Sequence, residues 1–475
     1  MSTSLDHAYE MISNKWDTDI IPTLEKYIKI PNQSIMFDPD WKKNGHMDKA
    51  AALLKSWCEA QNIDGMKVEL IEKPGKTPVL FIEIPGQSDK TILLYGHMDK
   101  QPEMRGWDED LGPWKPVIKD DKLYGRGGAD DGYSTFCALN AIETLHALKI
   151  PHARCVILIE ASEESGSPDL PDYLSDLAPR IGTPDLIICL DSGCGNYHQL
   201  WSTTSLRGLI NGTLKIAVLT EGVHSGYGSG VIPSIFMVLR QLLERIENAK
   251  TGDILLQDLQ VNIPKERMEQ AKKAAEFIGE ALWSEIPFAG NTQPVSHDVS
   301  ENIINRTWKP ALSVVGMNNL PPTQNAGNVT LPDMELKLSM RLPPTCDVEK
   351  ASKALKKALE SDPPFGAVVS LDIPEGNAGW EAPPLAEWLK IANENASQLF
   401  FKNPAAYVGE GGSIPFMGML GKMFPQAQFL ITGVLGPKSN AHGPNEFLHI
   451  PMAKKLTGCV AHVIAQHFEQ TNKSE

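Results

Sequence analysis

The sequence predicts an α/β fold, in which a mixed-sheet domain is interrupted by a smaller inserted α+β domain. Three observations carry this. Short, continuous apolar runs at 92–95, 155–159 and 186–190 suit strands in a sheet covered on both faces, and helical patterns lie around them. From about Leu206 the texture changes to longer strands with apolar and polar residues alternating, and the first pattern resumes near Trp380. At 475 residues the chain also exceeds what one hydrophobic core usually spans. The expected division is 1–206 and 380–475 for the first domain and 207–379 for the insert.

Each element has its own reason. Residues 1–30 read as helical, with Ile20, Ile21, Leu24 and Ile28 at helical spacing and Pro31 as the stop. A second amphipathic helix spans 46–61, carrying Leu53, Leu54, Trp57 and Cys58 on one face, and strands follow at 67–71, 79–84 and 92–95. A helix at 134–148 precedes the apolar strands 155–159 and 186–190. The insert begins with a strand at 209–219, a glycine-flanked turn around His224 and a helix at 231–248. It continues with strand 334–342, helix 348–359 and strand 367–373, a βαββαβ-like set broken by a polar, helix-prone stretch at roughly 251–310. Helix 385–400, strand 429–431 and a terminal helix near 452–468 complete the chain.

Composition narrows the function. Hydrophobic content of 42% and charged content of 22% are those of a soluble globular protein. A net charge of −15 without any basic run argues against a nucleic-acid partner. The first residues, MSTSLDHAYEMISNKWD, lack the basic and apolar regions of a secretory signal, and no run approaches membrane-spanning length, so a cytoplasmic protein without a membrane partner is expected. Seven cysteines with no C-x-x-C pair read as reduced core residues, with Cys194, close to Asp191, as the candidate for reactivity.

The chemistry gathers where the strands end. His97 and Asp99, two residues apart on extended backbone, point the same way, which suits a metal ligand with a carboxylate orienting it. Gly125-Arg126-Gly127-Gly128-Ala129 delivers the adjacent acids Asp130 and Asp131, whose repulsion a cation or a shared proton would offset. Glu163 and Glu164 follow the next apolar strand, Asp191 the one after, and His442 lies in a glycine-rich loop after strand 429–431. His97, Asp130, Glu164, Asp191 and His442 form a mixed oxygen and nitrogen set that Zn²⁺ or Mn²⁺ accepts. Five ligands suit two ions sharing a carboxylate, a pair that can activate one water and polarise one carbonyl. Glu163, beside Glu164, is the candidate general base.

In order, G96-H97-M98-D99, G127-G128-A129-D130-D131-G132, E163-E164-S165-G166, D191-S192-G193, H224-S225-G226 and A441-H442-G443 resemble the M20 family of metallopeptidases over nearly the whole chain, closest to its carnosinase-like cytosolic dipeptidases. The resemblance implies one metal on His97, Asp130 and Asp191, and a second on Asp130, Glu164 and His442, with Asp130 bridging through a cis peptide to Asp131. It assigns Asp99 to orient His97 and Glu163 to act as base and proton shuttle on a metal-bridged water. His224 would polarise the scissile carbonyl, and Arg341 with Ser413 would hold the substrate carboxylate. Where the family often has a threonine contacting substrate, this chain offers Asn328 or Thr330. An aspartate at the position of Asp191 resembles the dipeptidase members, so short peptides with a free C-terminal carboxylate are the expected substrates. The resemblance also implies a homodimer formed by the inserted domain, with His224 supplied across the interface. An N-deacylase of acyl amino acids, or a non-catalytic metal-binding relative, are the alternatives.

Overall fold

The computed structural model describes residues 2–374 and 376–471. Its central sheet has six strands in the order Lys67–Ile71, Val79–Ile84, Arg154–Glu160, Thr91–His97, Leu186–Cys189 and Gln428–Ile431. The last four run parallel and the first two are antiparallel additions, so the sheet is mixed. Every residue of Thr91–His97 is buried, and the strand's alternation divides two cores. Ile92 and Leu94 face the helices Tyr133–Ala147 and Ile450–Thr471, whereas Leu93 and Tyr95 face Leu170–Ile181 and Pro415–Met423.

At Leu206 the chain passes into a second sheet. Strand Trp201–Leu206 pairs in parallel with Ala406–Glu410, and Leu206 meets the returning chain at Trp380. The second sheet is wholly antiparallel, in the order Ala311–Asn318, Asp333–Leu342, Gly208–Ala217 and Val368–Asp372. Helices Ile235–Leu243 and Val348–Glu360 cover one face of it, packing Val238 and Leu355 against Ile210, Leu214 and Leu338. The first of these is shorter at both ends than the expected 231–248; at its start, Pro233 disfavours helical backbone at Ile232, so the helix begins only at Ile235.

Two expectations change. The helices Lys265–Ile278 and Val299–Thr307, read from sequence as an interruption of the insert, lay Ala271, Ala274, Ile303 and Ile304 into the core of the first sheet. Their small and β-branched residues make a face that fits closely over Ala406–Glu410. All seven cysteines are buried and unbridged, and burial, with Glu410 nearby, pushes the Cys194 thiol up, against the direction that would make it a nucleophile. Among the described residues no helix is long and apolar enough to cross a membrane.

Candidate metal centre

Four neighbouring parallel strands bring chemistry to one edge of the central sheet, the edge where open α/β sheets place ligands. His97 is the last residue of its own strand, paired with Glu160, rather than just beyond it. The strand can carry it there only because residue 96 is glycine. A Cβ on Gly96 would lie 2.1 Å from Ser134 Oγ and 2.6 Å from Asp131 Oδ2. Asp191 lies just past Leu186–Cys189, Glu163 and Glu164 form a turn after Arg154–Glu160, and His442 follows Gln428–Ile431 with a φ of +66°. Asp130 comes from the loop ahead of helix Tyr133–Ala147, and its peptide bond to Asp131 is cis.

These side chains form two triads, His97–Asp130–Asp191 and Asp130–Glu164–His442, each with its potential ligand atoms within 4.8 Å of one another. Asp130 belongs to both: its Oδ1 lies 3.3 Å from His97 Nε2 and its Oδ2 3.1 Å from His442 Nε2. Asp191 Oδ2 is 3.8 Å from His97 Nε2, and Glu164 Oε2 is 3.3 Å from His442 Nε2. Among the described residues, Glu164 Oε1 is buried without any hydrogen-bond partner, a costly state for a carboxylate oxygen that a cation would relieve. The donor set therefore fits two divalent ions of the zinc or manganese kind.

Electrostatics follow from crowding. Burial works against the charge of Asp130, yet His442 and His97 outweigh it and hold the carboxyl below the usual range. Glu163 goes the other way: burial, then Asp191, raise it well above an ordinary glutamate, with Glu164 and Asp99 adding to the effect against His97. Glu164 is pushed up to about 7 by burial and the charge of Asp130. Burial disfavours charge on His442, but Asp130 and Glu164 push it up to about 11.

The supporting residues explain why the cluster holds its shape. Asp99 Oδ1 lies 3.4 Å from His97 Nδ1, while its two oxygens accept the main-chain N–H groups of Glu163 and Glu164 at 3.1 and 3.0 Å. Asp131 Oδ2 accepts from the His97 amide at 3.1 Å, and Gln101 Nε2 donates to Glu164 Oε2 at 2.6 Å. The reading of the sequence missed one buried ion pair altogether. Arg126 Nη1 donates to Glu446 Oε2 at 2.6 Å, Arg126 Nη2 to the carbonyl of Gly443 at 2.7 Å, and Gly127 N–H to Glu446 Oε1 at 2.9 Å. This clasp binds the Asp130 loop to the His442 loop. Arg126 among glycines and Glu446 four residues after His442 were the only signals.

A cavity of 270 Å³ opens over the cluster, walled by Glu163, Glu164, Asp191, Ser413, Ile414 and His442 among others. Ser413 is tied to the second sheet, since Arg341 Nη1 donates to its Oγ at 3.2 Å. His224 and Asn328 are elsewhere. His224 lies on the two-stranded ladder formed by Val223–His224 and Val329–Thr330, with its Nδ1 accepting from Gly226 N–H at 3.1 Å; Asn328 sits just ahead of the second strand, its carbonyl accepting from Ser225 N–H at 2.8 Å, and neither they nor Thr330 line this cavity.

Residues 93–466 match the model of peptidase family M20/M25/M40. Among characterised relatives, the Cys-Gly metallodipeptidase DUG1 of Saccharomyces cerevisiae is 28% identical over 442 residues, covering 87% of this chain and 88% of that protein. The human Beta-Ala-His dipeptidase is 24% identical over 450 residues, 90% of this chain and 86% of its own. In fold, the solved structure of the yeast dipeptidase Dug1p superposes with a TM-score of 0.76 at 22% identity, covering 98% of this chain and 99% of that one. With the model spanning most of its length and the ordered motifs meeting at one sheet edge, the chain belongs to peptidase family M20/M25/M40.

Proposed function

We propose that this chain is a two-metal dipeptidase that hydrolyses the peptide bond of dipeptides with a free C-terminal carboxylate. The observation that carries the reading is the pair of triads sharing Asp130 beneath a small cavity whose wall includes Glu163. The characterised relatives, named for Cys-Gly and Beta-Ala-His, act on dipeptides of quite different side chains, which points to recognition of the termini.

Each residue has a part. His97, Asp130 and Asp191 would hold one ion, and Asp130, Glu164 and His442 the other. A divalent pair held there supplies Lewis acidity, which makes water a better nucleophile at neutral pH and polarises a carbonyl. Glu163 takes the proton of the attacking water and passes it to the leaving amine. Asp99 holds the imidazole of His97 and the turn that carries Glu163 and Glu164 in one arrangement. Arg341, with Ser413 at 3.2 Å, offers a charge-assisted fork to the substrate carboxylate.

The direct test is substrate chemistry. With Zn²⁺ or Mn²⁺ supplied, dipeptides are expected to turn over, while tripeptides and acyl amino acids turn over slowly or not at all; the reverse order would favour an N-deacylase. Amidating the C-terminus of a good dipeptide removes the charge opposite Arg341 and should reduce kcat/KM by about 10-fold or more. Equal rates on acid and amide would sink the proposal.

The inserted segment, 207–379, would form a homodimer and present His224 to the site of the other subunit, where it polarises the scissile carbonyl. His224 is exposed, and Tyr227, Val231 and Val329 leave an apolar surface around it of the kind interfaces cover. Mixing two inactive variants, His97→Ala and His224→Ala, tests the arrangement. Random reassortment makes half of the dimers mixed, each with one site free of both lesions, so about a quarter of normal activity should return. No recovery after verified subunit exchange rules the trans arrangement out.

A further inference from the structure

A second cavity, of 710 Å³, is larger than the one over the metal cluster; Arg207 lines it, and the residue before it, Leu206, together with Gly412 and Ser413, lines the cavity over the cluster. The Arg207 amide donates to the Gly412 carbonyl at 3.0 Å, its Nε to the Gly411 carbonyl at 3.0 Å, and its own carbonyl accepts from Ser413 Oγ at 2.8 Å. The turn that brings Ser413 to the first cavity is thus stapled to a residue whose side chain lines the second. Arg341 borders the same region, because its strand partner Ala311 also lines the second cavity.

The charges at this junction lack counterparts. Arg207 is only 8% exposed, and among the described residues no carboxylate makes an ion pair with it, with Arg306 or with Arg341; its guanidinium is met by two carbonyls, Gly411 at Nε and Lys309 at Nη1 at 3.4 Å. Burial, then repulsion from Arg341 and Arg306, lowers the Arg207 guanidinium to about 10. Glu410 feels Arg306, but its carboxylate is engaged by the main chain of Gly193 and Gly411. Glu247 and Asp253 lie in the cavity wall but make no ion pair with Arg207 among the described residues. A buried guanidinium is costly without an anion to face it, so this arrangement suits a site whose anion arrives with the substrate. The remaining wall is mixed: Thr251, Gln260, Gln293, Asn302, Asn305 and Lys309 are polar, while Leu282, Trp283 and Phe288 offer an apolar stretch that would pack methylene groups.

We infer that the second cavity receives the side chain of the substrate's C-terminal residue, and that Arg207 and Arg306 there select a carboxylate, so that the favoured dipeptides end in glutamate or aspartate. This rests on the dipeptidase reading above, with Arg341 and Ser413 holding the α-carboxylate and the side chain passing beyond them. A second carboxylate could also be the end of a longer chain, and substrates can separate the two.

The test compares kcat/KM of the metal-loaded, full-length protein on Ala-Ala, Ala-Glu, Ala-Gln and Ala-Ala-Ala. Glutamine has nearly the shape of glutamate without its charge, so the Ala-Glu to Ala-Gln ratio isolates the charge and is unaffected by how much of a preparation is folded. The expected ratio is about 10 or more, as for a charge-assisted contact. It should fall several-fold in Arg306→Gln, an exposed position where the fold is safe, and approach unity in Arg207→Met. Equal rates on Ala-Glu and Ala-Gln alongside good turnover of Ala-Ala would overturn the acidic subsite while leaving the dipeptidase reading intact. So would an unchanged ratio in both variants, or an Arg306-dependent preference for Ala-Ala-Ala over both. Failure to hydrolyse any dipeptide would overturn the two readings together.

Discussion

Glu163→Gln should lower kcat by about 10²-fold or more while metal content stays that of the native protein. The two halves of this expectation come from different parts of the geometry. Glu163 lines the cavity over the cluster but belongs to neither triad, so its loss removes no ligand. Its main-chain N–H, which donates to Asp99 Oδ1 at 3.1 Å, is untouched by the change, so the turn carrying Glu164 keeps its anchor. Glutamine fills the same space and cannot accept the proton. Metal analysis beside steady-state kinetics checks both halves: full turnover would remove Glu163 from the chemistry, and loss of metal would make it a ligand.

Asp130→Ala has the larger expected effect, because one side chain serves both triads. The variant should lose both ions under conditions where the native protein keeps them, and activity should fall below detection. A second readout does not depend on catalysis. Ions that bind only the folded chain stabilise it by about 2.7 kcal/mol when present at 100 times their Kd. The chelated native protein should therefore melt lower than the reloaded one, and Asp130→Ala should show no such difference. The stripped centre holds Asp130, Asp131, Asp191, Glu163 and Glu164 together, with burial and mutual repulsion raising Asp131, Glu163 and Glu164, so the native protein gains most from reloading. An undiminished metal-dependent shift in Asp130→Ala would show that this residue is not the shared ligand.

How much of this was legible in the sequence depended on whether the signal was local. The strands ending near His97, Glu163 and Asp191 combine an apolar run, a break and a reactive residue within a few positions, and the central sheet has them side by side. Strand Trp201–Leu206 was not legible, because its Ser-Thr-Thr-Ser centre reads as polar surface. In the fold it is fully buried, with the Thr203 and Ser192 hydroxyls 2.7 Å apart. The Arg126–Glu446 clasp joins residues 320 positions apart, and neither carries a mark of burial in its own neighbourhood. Arg207 was passed over for the same reason, since its importance lies in what surrounds it and no local pattern predicts a guanidinium left without an anion.

The clasp has a consequence for the order in which the protein is made. A chain emerging from the ribosome amino end first exposes His97, Asp130, Glu164 and Asp191 long before His442 and Glu446, and domains fold largely as they appear. Arg126, buried in the finished structure, has its counter-ion only when Glu446 arrives, and strand Gln428–Ile431 can join Leu186–Cys189 only shortly before. The second triad cannot close earlier than that. A chain that has not yet reached Gln428 therefore carries only the first three of the four parallel strands, and without His442 it can assemble the His97–Asp130–Asp191 triad but not the second.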